Sequence, residues 1–455
     1  MRLKQLKNRL NIIQNYDIEI DVTANPYNFE LEDLFKMATR INKKRRFLFV
    51  STLLGKHLAV RPQVPLLTGA LLAKMYHQKL TGNEMVEIPA IVEALKQPEK
   101  AQEVYGRLEN KGIDLLEETL FIGFAETATA LGHAVFNTFQ SKATYIHTTR
   151  EQLPDIKPFV TFEEEHSHAT SHRVYSEQPE KLVQAKRIVL IDDEITTGNT
   201  VVNIIETLKK KFPLVKQYAV LSILDWRSQQ QREIFKQLEE TWNVTIDFIS
   251  IMSGQFSTIG EPSLTNKQVE MTTQQAENMT LLSIQEPMEQ KHYRSISENG
   301  VENTSPYLVA TGRFMLTANQ HIEQKYKMKK IAHHLKKVRT DGPVLVIGTG
   351  EFMYVPMQIA SYLGEDVYVQ STTRSPIYCA QDPGYTITEK IAFDSPENNG
   401  VTHYLYNVKG HLYSEIFLLV ERLANQEAVE KVVHALQSVS DAKVYVICMH
   451  EVEGE

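Results

Sequence analysis

Cysteine is almost missing: Cys379 and Cys448 are the only two in 455 residues. Two cannot build a disulfide framework, and neither has the paired Cys or His neighbours of a zinc site. A reducing compartment, the cytoplasm, is expected. Positive charge is not in excess either: 49 Lys plus Arg against 56 Asp plus Glu leave a net charge of −7, without the basic footprint that binding to a phosphate backbone demands. Nucleic acid is not an expected partner. No run of about 18 apolar residues occurs, and the charged start leads into Asn11, Gln14 and Asn15 rather than an apolar signal segment. Neither a membrane span nor secretion is expected. What remains, 42% hydrophobic and 23% charged residues, is the composition of a globular chain. At about 150 residues per domain its length allows two or three domains.

Residues 29 to 110 read as mostly helical, with one strand-like stretch at Phe47-Leu-Phe-Val-Ser51. From 119 onward, short apolar runs alternate with helical stretches: Leu120 to Gly123, Ala143 to Ile146, Ile188 to Ile191, Tyr218 to Leu224 and Val244 to Ile249. That rhythm predicts an α/β fold with a parallel sheet and helices on its faces. Residues 253 to 305 are rich in Gln, Thr, Ser, Glu and Asn without a sustained period, so a boundary falls there. The expected units are 1–265, a polar linker or irregular excursion over 266–304, and a second α/β domain over 305–455. In the helix expected at 322–339, Met328, Ile331, Leu335 and Val338 form the buried stripe, which leaves the basic run from Lys325 to Arg339 on the solvated remainder.

The stretch that carries chemistry is Ile188-Val-Leu-Ile-Asp192-Asp193-Glu194-Ile-Thr196-Thr197-Gly198-Asn199-Thr200. An apolar strand delivers two adjacent carboxylates, then a loop of small hydroxyl residues opens a helix. Hydroxyls and backbone N–H groups at a helix N-terminus favour an anion such as phosphate, and Gly198 lets the backbone close around it. Two carboxylates one strand-end away accept hydrogen bonds from vicinal sugar hydroxyls. The parts together describe a sugar-phosphate cradle.

This stretch resembles the phosphoribosyl diphosphate signature of type I phosphoribosyltransferases. The resemblance implies that Asp192 and Asp193 hold the ribose hydroxyls and that Thr196, Thr197, Gly198, Asn199 and Thr200 bind the 5-phosphate. Upstream, Leu120-Phe-Ile-Gly123-Phe124-Ala125-Glu126-Thr127 is similar to the diphosphate loop of that fold. It carries Glu126 and no Lys or Arg, which leaves charge neutralisation to magnesium or to residues elsewhere. Arg150 is one supplier, since a guanidinium matches phosphate oxygens bidentately; the other reading pairs it with a nearby acid such as Glu151. His166, His168 and His172 fall where the mobile catalytic loop of the fold lies. Contacts to diphosphate or substrate, a solvated loop and a transition-metal site all stay open for them. Magnesium is expected to act through substrate oxygens, without a dedicated protein site.

Arg45 to Ser51, with Gly55-Lys56-His57, is the candidate hood over the accepting base; a solvated pair at a helix end is the alternative for Lys56 and His57. Trp226 and Arg227 are further acceptor candidates, with a buried Trp beside a paired Arg as the alternative. Together with the Thr373-Arg-Ser-Pro376 sequence, these motifs are similar to phosphoribosyltransferases of tellurite-resistance and stress-response gene clusters. In those, an orotate phosphoribosyltransferase-like domain precedes a domain named for Thr-Arg-Ser-Pro. The resemblance implies a type I phosphoribosyltransferase fold with a hood, a second α/β domain, a small-molecule acceptor and a possible homodimer.

The two α/β regions also match each other. Ile122-Gly123-x-x-Glu126 recurs as Ile347-Gly348-x-x-Glu351, and each leads to a strand ending in Thr-Thr-Arg, at Arg150 and Arg374. Phe162, His172 and Tyr175 recur at the same spacing as Phe393, His403 and Tyr406. Residues 305–455 therefore read as a degenerate copy of the same fold, with Glu427 where the first copy has Gly198. Gly348, Thr349, Gly350, Glu351, Arg374 and Ser375 form its candidate site, for an anion other than phosphoribosyl diphosphate. The leading function is magnesium-dependent transfer of a 5-phosphoribosyl group to a base-like acceptor with release of diphosphate, in a stress-linked biosynthetic pathway. A non-catalytic sensor of phosphoribosyl diphosphate and a ribose-phosphate diphosphokinase are the alternatives. No basic helix-turn-helix supports a regulator, and the intact signature lies in the first copy, opposite to the diphosphokinase arrangement.

Overall fold

The computed structural model describes residues 7–41, 45–163, 171–264, 276, 279–284, 286–297, 300–397, 400–409, 413–423 and 425–450. The chain opens on two antiparallel strands, β1 (Lys7–Ile13) and β2 (Tyr16–Ala24). Tyr16, Ile18 and Ile20 alternate inward along β2, the period of a half-buried strand. A second antiparallel pair follows, β3 (Phe35–Thr39) and β4 (Phe47–Ser51). The expectation of a mostly helical stretch from residue 29 is corrected here. Helix begins in earnest only at α1 (Gln63–Thr81), because the aromatic residues of β3 and β4 pack best on a pleated surface. Gly69 of α1 lies so close to the next packed helix that a Cβ would meet Ala134 at 2.4 Å.

The parallel core then follows in order: β5 (Ile113–Gly123), α2 (Thr127–Phe136), β6 (Phe139–His147), the hairpin β7 (Val160–Glu163) and β8 (Ser171–Val174), β9 (Arg187–Ile191), α3 (Asn199–Lys211), β10 (Gln217–Asp225) and β11 (Thr245–Ile259). The sheet runs β1-β2-β11-β10-β9-β5-β6, parallel from β11 to β6. Strand β11 outruns its expected end at 249 because its second half pairs with β2. The sheet closes on β12 (Leu316–Thr317), a strand from the C-terminal half that joins β6 antiparallel.

After it come α4 (Ala318–Val338), β13 (Val344–Gly348), α5 (Tyr354–Ala360), β14 (Val367–Ser371), the hairpin β15 (Lys390–Asp394) and β16 (Thr402–Tyr406), β17 (Glu415–Val420), α6 (Gln426–Gln437) and β18 (Lys443–Cys448). The second sheet runs β14-β13-β17-β18, all parallel, with Thr280–Leu281 on its outer edge. This is the order β6-β5-β9-β10 again, and the details repeat with it. Gly123 pairs with His147 and Ile191, Gly348 with Ser371 and Leu419. Thr148 N–H donates to Gly123 O at 2.9 Å and Thr372 N–H to Gly348 O at 3.0 Å. The Thr148 hydroxyl accepts from Ala125 N–H at 2.7 Å and meets His172 at 3.1 Å; the Thr372 hydroxyl accepts from Gly350 N–H at 2.9 Å and meets His403 at 2.9 Å. The C-terminal unit repeats the strand order and these pairings of the first.

The halves share one continuous apolar core. His133 of α2 stacks on Tyr354 of α5 at 3.6 Å and 6°. Edges are exchanged: β12 closes the first sheet, and Val60 bridges Val369 at the edge of the second. Each exchanged segment follows a glycine of positive φ, Gly55 (68°) or Gly312 (80°). A Cβ at Gly312 would strike the Tyr145 ring at 2.5 Å, and one at Gly55 would crowd Val369 O at 3.1 Å. Among the described residues, no helix is long and apolar enough to cross a membrane.

Candidate active site

Strand β9 is buried on both faces and ends by presenting Asp192 and Asp193, both part-exposed. Their backbone is fixed by β10: Asp192 N–H donates to Leu221 O at 3.0 Å, and Asp193 O accepts from Ile223 N–H at 3.2 Å. Asp193 N–H also donates to Asp192 Oδ1 at 2.9 Å, which orients that carboxylate. The chain then turns through Gly198, at φ 83°, into α3. The first N–H groups of a helix lack intrahelical acceptors and suit an anion. Beneath the turn, Arg227 grips Asp225 bidentately at 3.0 and 2.9 Å and lies over the Phe248 ring at 3.2 Å. A Cβ on Gly198 would meet Phe235 at 2.7 Å and Arg227 at 3.1 Å. Arg227 therefore buttresses this turn from below; with 2% exposure it does not face open space as an acceptor contact.

The loop after β5 starts beside the carboxylates, because Phe124 N–H donates to Ile191 O at 3.1 Å. Glu126 has φ 67° and ψ −113°, a conformation L residues rarely adopt and one that costs about 1–3 kcal/mol. Its carboxylate takes Arg150 Nη1 at 2.6 Å, so Arg150 is paired with a nearby acid, Glu126. Burial pushes Glu126 up, yet Arg150, Lys56 and Arg374 together hold it below the usual carboxylate range. Lys56 is 3% exposed, and among the described residues its ammonium finds only Gly350 O at 3.4 Å and the Met353 sulfur at 4.0 Å. The reading of Lys56 and His57 as a solvated pair is corrected: both are buried between the units, and burial drives His57 down to about 3, so it is neutral.

A cavity of about 90 Å³ joins these groups. Lys56, Glu126 and Arg150 of the first unit line it together with Gly350, Glu351 and Arg374 of the second. The two loops that the sequence kept apart thus face one space. Next to the carboxylates, the β3–β4 pair brings in Arg40 and Arg45. Arg45 donates to Glu194, while Arg40 lies in the field of Glu194, Glu126 and Asp193 and keeps its buried Nε without a hydrogen-bond partner among the described residues. Burial raises the Glu194 acid, and Asp193 adds to it. Trp226 is 4% exposed and stacks on Phe49 of β4 at 5.3 Å, so it supports the β3–β4 pair from within. His166 and His168 lie outside the described residues.

A family model for phosphoribosyl transferases matches residues 34–255, and one for the TRSP domain, described as C-terminal to that transferase domain, matches residues 310–436. Residues 34–255 are a phosphoribosyltransferase domain, with a TRSP domain behind it. Similar solved structures include adenine phosphoribosyltransferase from Trypanosoma brucei, at 14% identity over 54% of this chain and 86% of that one, with a TM-score of 0.28. The Giardia lamblia enzyme shows 17% identity over 36% and 84%, with a TM-score of 0.22. Orotate phosphoribosyltransferase from Mycobacterium tuberculosis shows 9% over 43% and 96%, with a TM-score of 0.18. No curated protein matches the chain.

In the TRSP domain, the position of Asp192-Asp193 is filled. β17 ends in Glu421 and Arg422, both 1% exposed. Glu421 accepts from Leu308 N–H at 2.9 Å. Arg422 donates to Ser305 O, Ser295 Oγ, Tyr307 OH and Asn303 O at 2.7 to 2.8 Å and covers the Tyr307 ring at 3.8 Å. At the helix that matches α3, Asn425 caps Ala428 N–H at 2.9 Å, and Glu427 pairs with Lys431 at 2.9 Å. Glu397 receives the Thr349 hydroxyl at the head of the second loop. The segment expected as a linker or irregular excursion over 266–304 thus supplies part of this plug.

Sequence reasoning missed Arg313. Its guanidinium is 4% exposed, bonds Glu151 at 3.0 Å and Glu351 at 3.3 Å, and donates to Thr149 Oγ1 at 2.5 Å. Burial works against its charge, but Glu151 and Glu351 outweigh that and raise its pKa further. A signal was present: Gly55-Lys56 precedes Gln63, the first residue of α1, by the same spacing as Gly312-Arg313 precedes Gln320 at the start of α4.

Proposed function

We propose that the transferase domain of this phosphoribosyl diphosphate-using protein moves the 5-phosphoribosyl group to a base-like acceptor and releases diphosphate. The observation that carries this reading is the hydrogen bond from Phe124 N–H to Ile191 O. It sets the loop of β5 against the first carboxylate of β9, so one ligand spans a sugar-hydroxyl site and a diphosphate site on adjacent strands. Asp192 and Asp193 accept from the ribose hydroxyls, and the turn at Thr196 to Thr200 takes the 5-phosphate. Arg150 exchanges Glu126 for a diphosphate oxygen.

The bond from the anomeric carbon to diphosphate breaks, the bond to the acceptor nitrogen forms, and the acceptor loses its proton. The site's task is to position reactants and to favour the charge that gathers on the leaving diphosphate. Asp192 and Asp193 offer the hard oxygen donors that suit magnesium. Substrate oxygens and water would complete its shell. When bound, magnesium neutralises the diphosphate.

Calorimetric titration of the full chain with phosphoribosyl diphosphate and magnesium tests the reading. The wild type is expected to bind and the Asp192→Asn plus Asp193→Asn variant to lose at least tenfold in affinity with an unchanged melting temperature. No binding by the wild type overturns it. Diphosphate release across a panel of purines, pyrimidines and related heterocycles then identifies the acceptor. Release with none of them would favour a sensor of phosphoribosyl diphosphate.

A further inference from the structure

The Thr-Arg-Ser-Pro segment touches both ends of the site. At one end, Arg374 lines the cavity with Glu126 and Lys56. At the other, the next residues pair with the end of β3: Tyr378 N–H donates to Thr39 O at 2.8 Å, Ile41 N–H to Pro376 O at 3.3 Å, and Ile377 bridges Arg40. Tyr385 rivets the pairing, because its hydroxyl accepts from Thr39 N–H at 3.0 Å and donates to Tyr378 O at 2.8 Å.

Between the two ends the segment has little slack. Ile377 is fully buried, its N–H donates to the Tyr406 hydroxyl at 2.9 Å, and that hydroxyl donates to Ser375 O at 2.6 Å. A short backbone held at both ends passes on a shift rather than absorbing it. Arg40, which the strap bridges directly, keeps its buried Nε without a hydrogen-bond partner among the described residues and lies in the field of Glu194, Glu126 and Asp193. A guanidinium in that place is set to meet a reactant.

Resting on the transferase reading above, we propose that residues 373–378 form a strap that couples the donor to the acceptor. Arg374 takes a diphosphate oxygen of the donor, and the strand pairing transmits this to β3, fixing Arg40 against the acceptor. In this arrangement the TRSP domain works as a positioning element for its neighbour's reaction, and Arg374 is the residue through which it senses the donor.

Hydrogen exchange of the full chain with and without phosphoribosyl diphosphate and magnesium tests the strap, read at the amides of β3 and β4. The wild type is expected to show at least tenfold slower exchange there at saturation. Arg374→Gln is expected to weaken donor binding and to give no added protection even when saturated, with Arg374→Lys restoring part of both. Tyr385→Phe, away from the reacting groups, is expected to keep wild-type donor affinity and lose most of the protection. Donor binding without any change in β3 and β4, or full protection in saturated Arg374→Gln, overturns the strap while leaving the transferase reading intact. Absence of donor binding by the wild type overturns both.

Discussion

The plug in the TRSP domain makes a quantitative prediction through Glu397. Burial first, then the neighbouring carboxylates of Glu421 and Glu151, push its acid up to about 8. In the unfolded chain the same group gives up its proton near pH 4.3. Between those values the folded protein holds a proton that the unfolded chain has lost, so stability falls as pH rises through the window and levels off above about pH 8. At about 1.4 kcal/mol per pH decade the whole interval is worth on the order of 4–5 kcal/mol. Glu397 is part-exposed, and solvent screening reduces this to about 2 kcal/mol. Glu397→Gln keeps an acceptor for the Thr349 hydroxyl and cannot ionise. Urea unfolding followed by tryptophan fluorescence at pH 4, 6 and 8.5 is expected to give near-equal stabilities at pH 4. At pH 8.5 the variant should be ahead by about 2 kcal/mol. Parallel decline of both proteins, or a variant less stable than wild type at pH 8.5, would refute the reasoning.

Two further substitutions probe the cradle from below. Gly198→Ala imposes a Cβ at φ 83° and drives it toward the Phe235 ring; a loss of about 1–3 kcal/mol in unfolding free energy is expected. A fall in donor affinity should accompany it in calorimetry, and unaltered affinity would remove the turn from the phosphate site. Arg227→Met takes the guanidinium from the buried Asp225 and leaves that carboxylate with Arg232 and the backbone N–H of residue 227. A destabilisation of about 3 kcal/mol is expected from chemical denaturation, and a neutral result would end the buttress argument.

Strands β9 and β10 and the C-terminal ends of β5 and β6 were legible because buried parallel strands read as short apolar runs. The Asp192-to-Thr200 cradle was legible for a related reason: a strand, two acids and a small-residue turn are contiguous, so local chemistry alone describes them. β1 and β2 went unnoticed although Tyr16, Ile18 and Ile20 alternate, because the charged residues around them hid a two-residue period. The partners of Arg150 and Lys56 were out of reach for another reason. Lys56 meets Gly350, which lies 294 residues on, and no periodicity reports a contact across that distance. Internal comparison reached further than motif reading. The recurring Thr-Thr-Arg strands located the second unit, and the recurring Gly-basic pair ahead of each helix would have located Arg313 as well.

The exchanged edges carry a consequence for how the two units differ. Each sheet has an edge covered by a segment of the other half, strand β12 on the first and the Val60–Val369 bridge on the second, so cutting the chain between them would expose a β edge on both sides, the surface from which proteins aggregate. Covalent linkage also fixes the pairing at one to one, at an effective concentration of about millimolar whatever the expression level. A free subunit that lost its ligand chemistry could drift away from its partner. A tethered one is retained for its surface alone, which leaves its former pocket free to be sealed with Arg422 and Tyr307 while its loops keep serving the active neighbour.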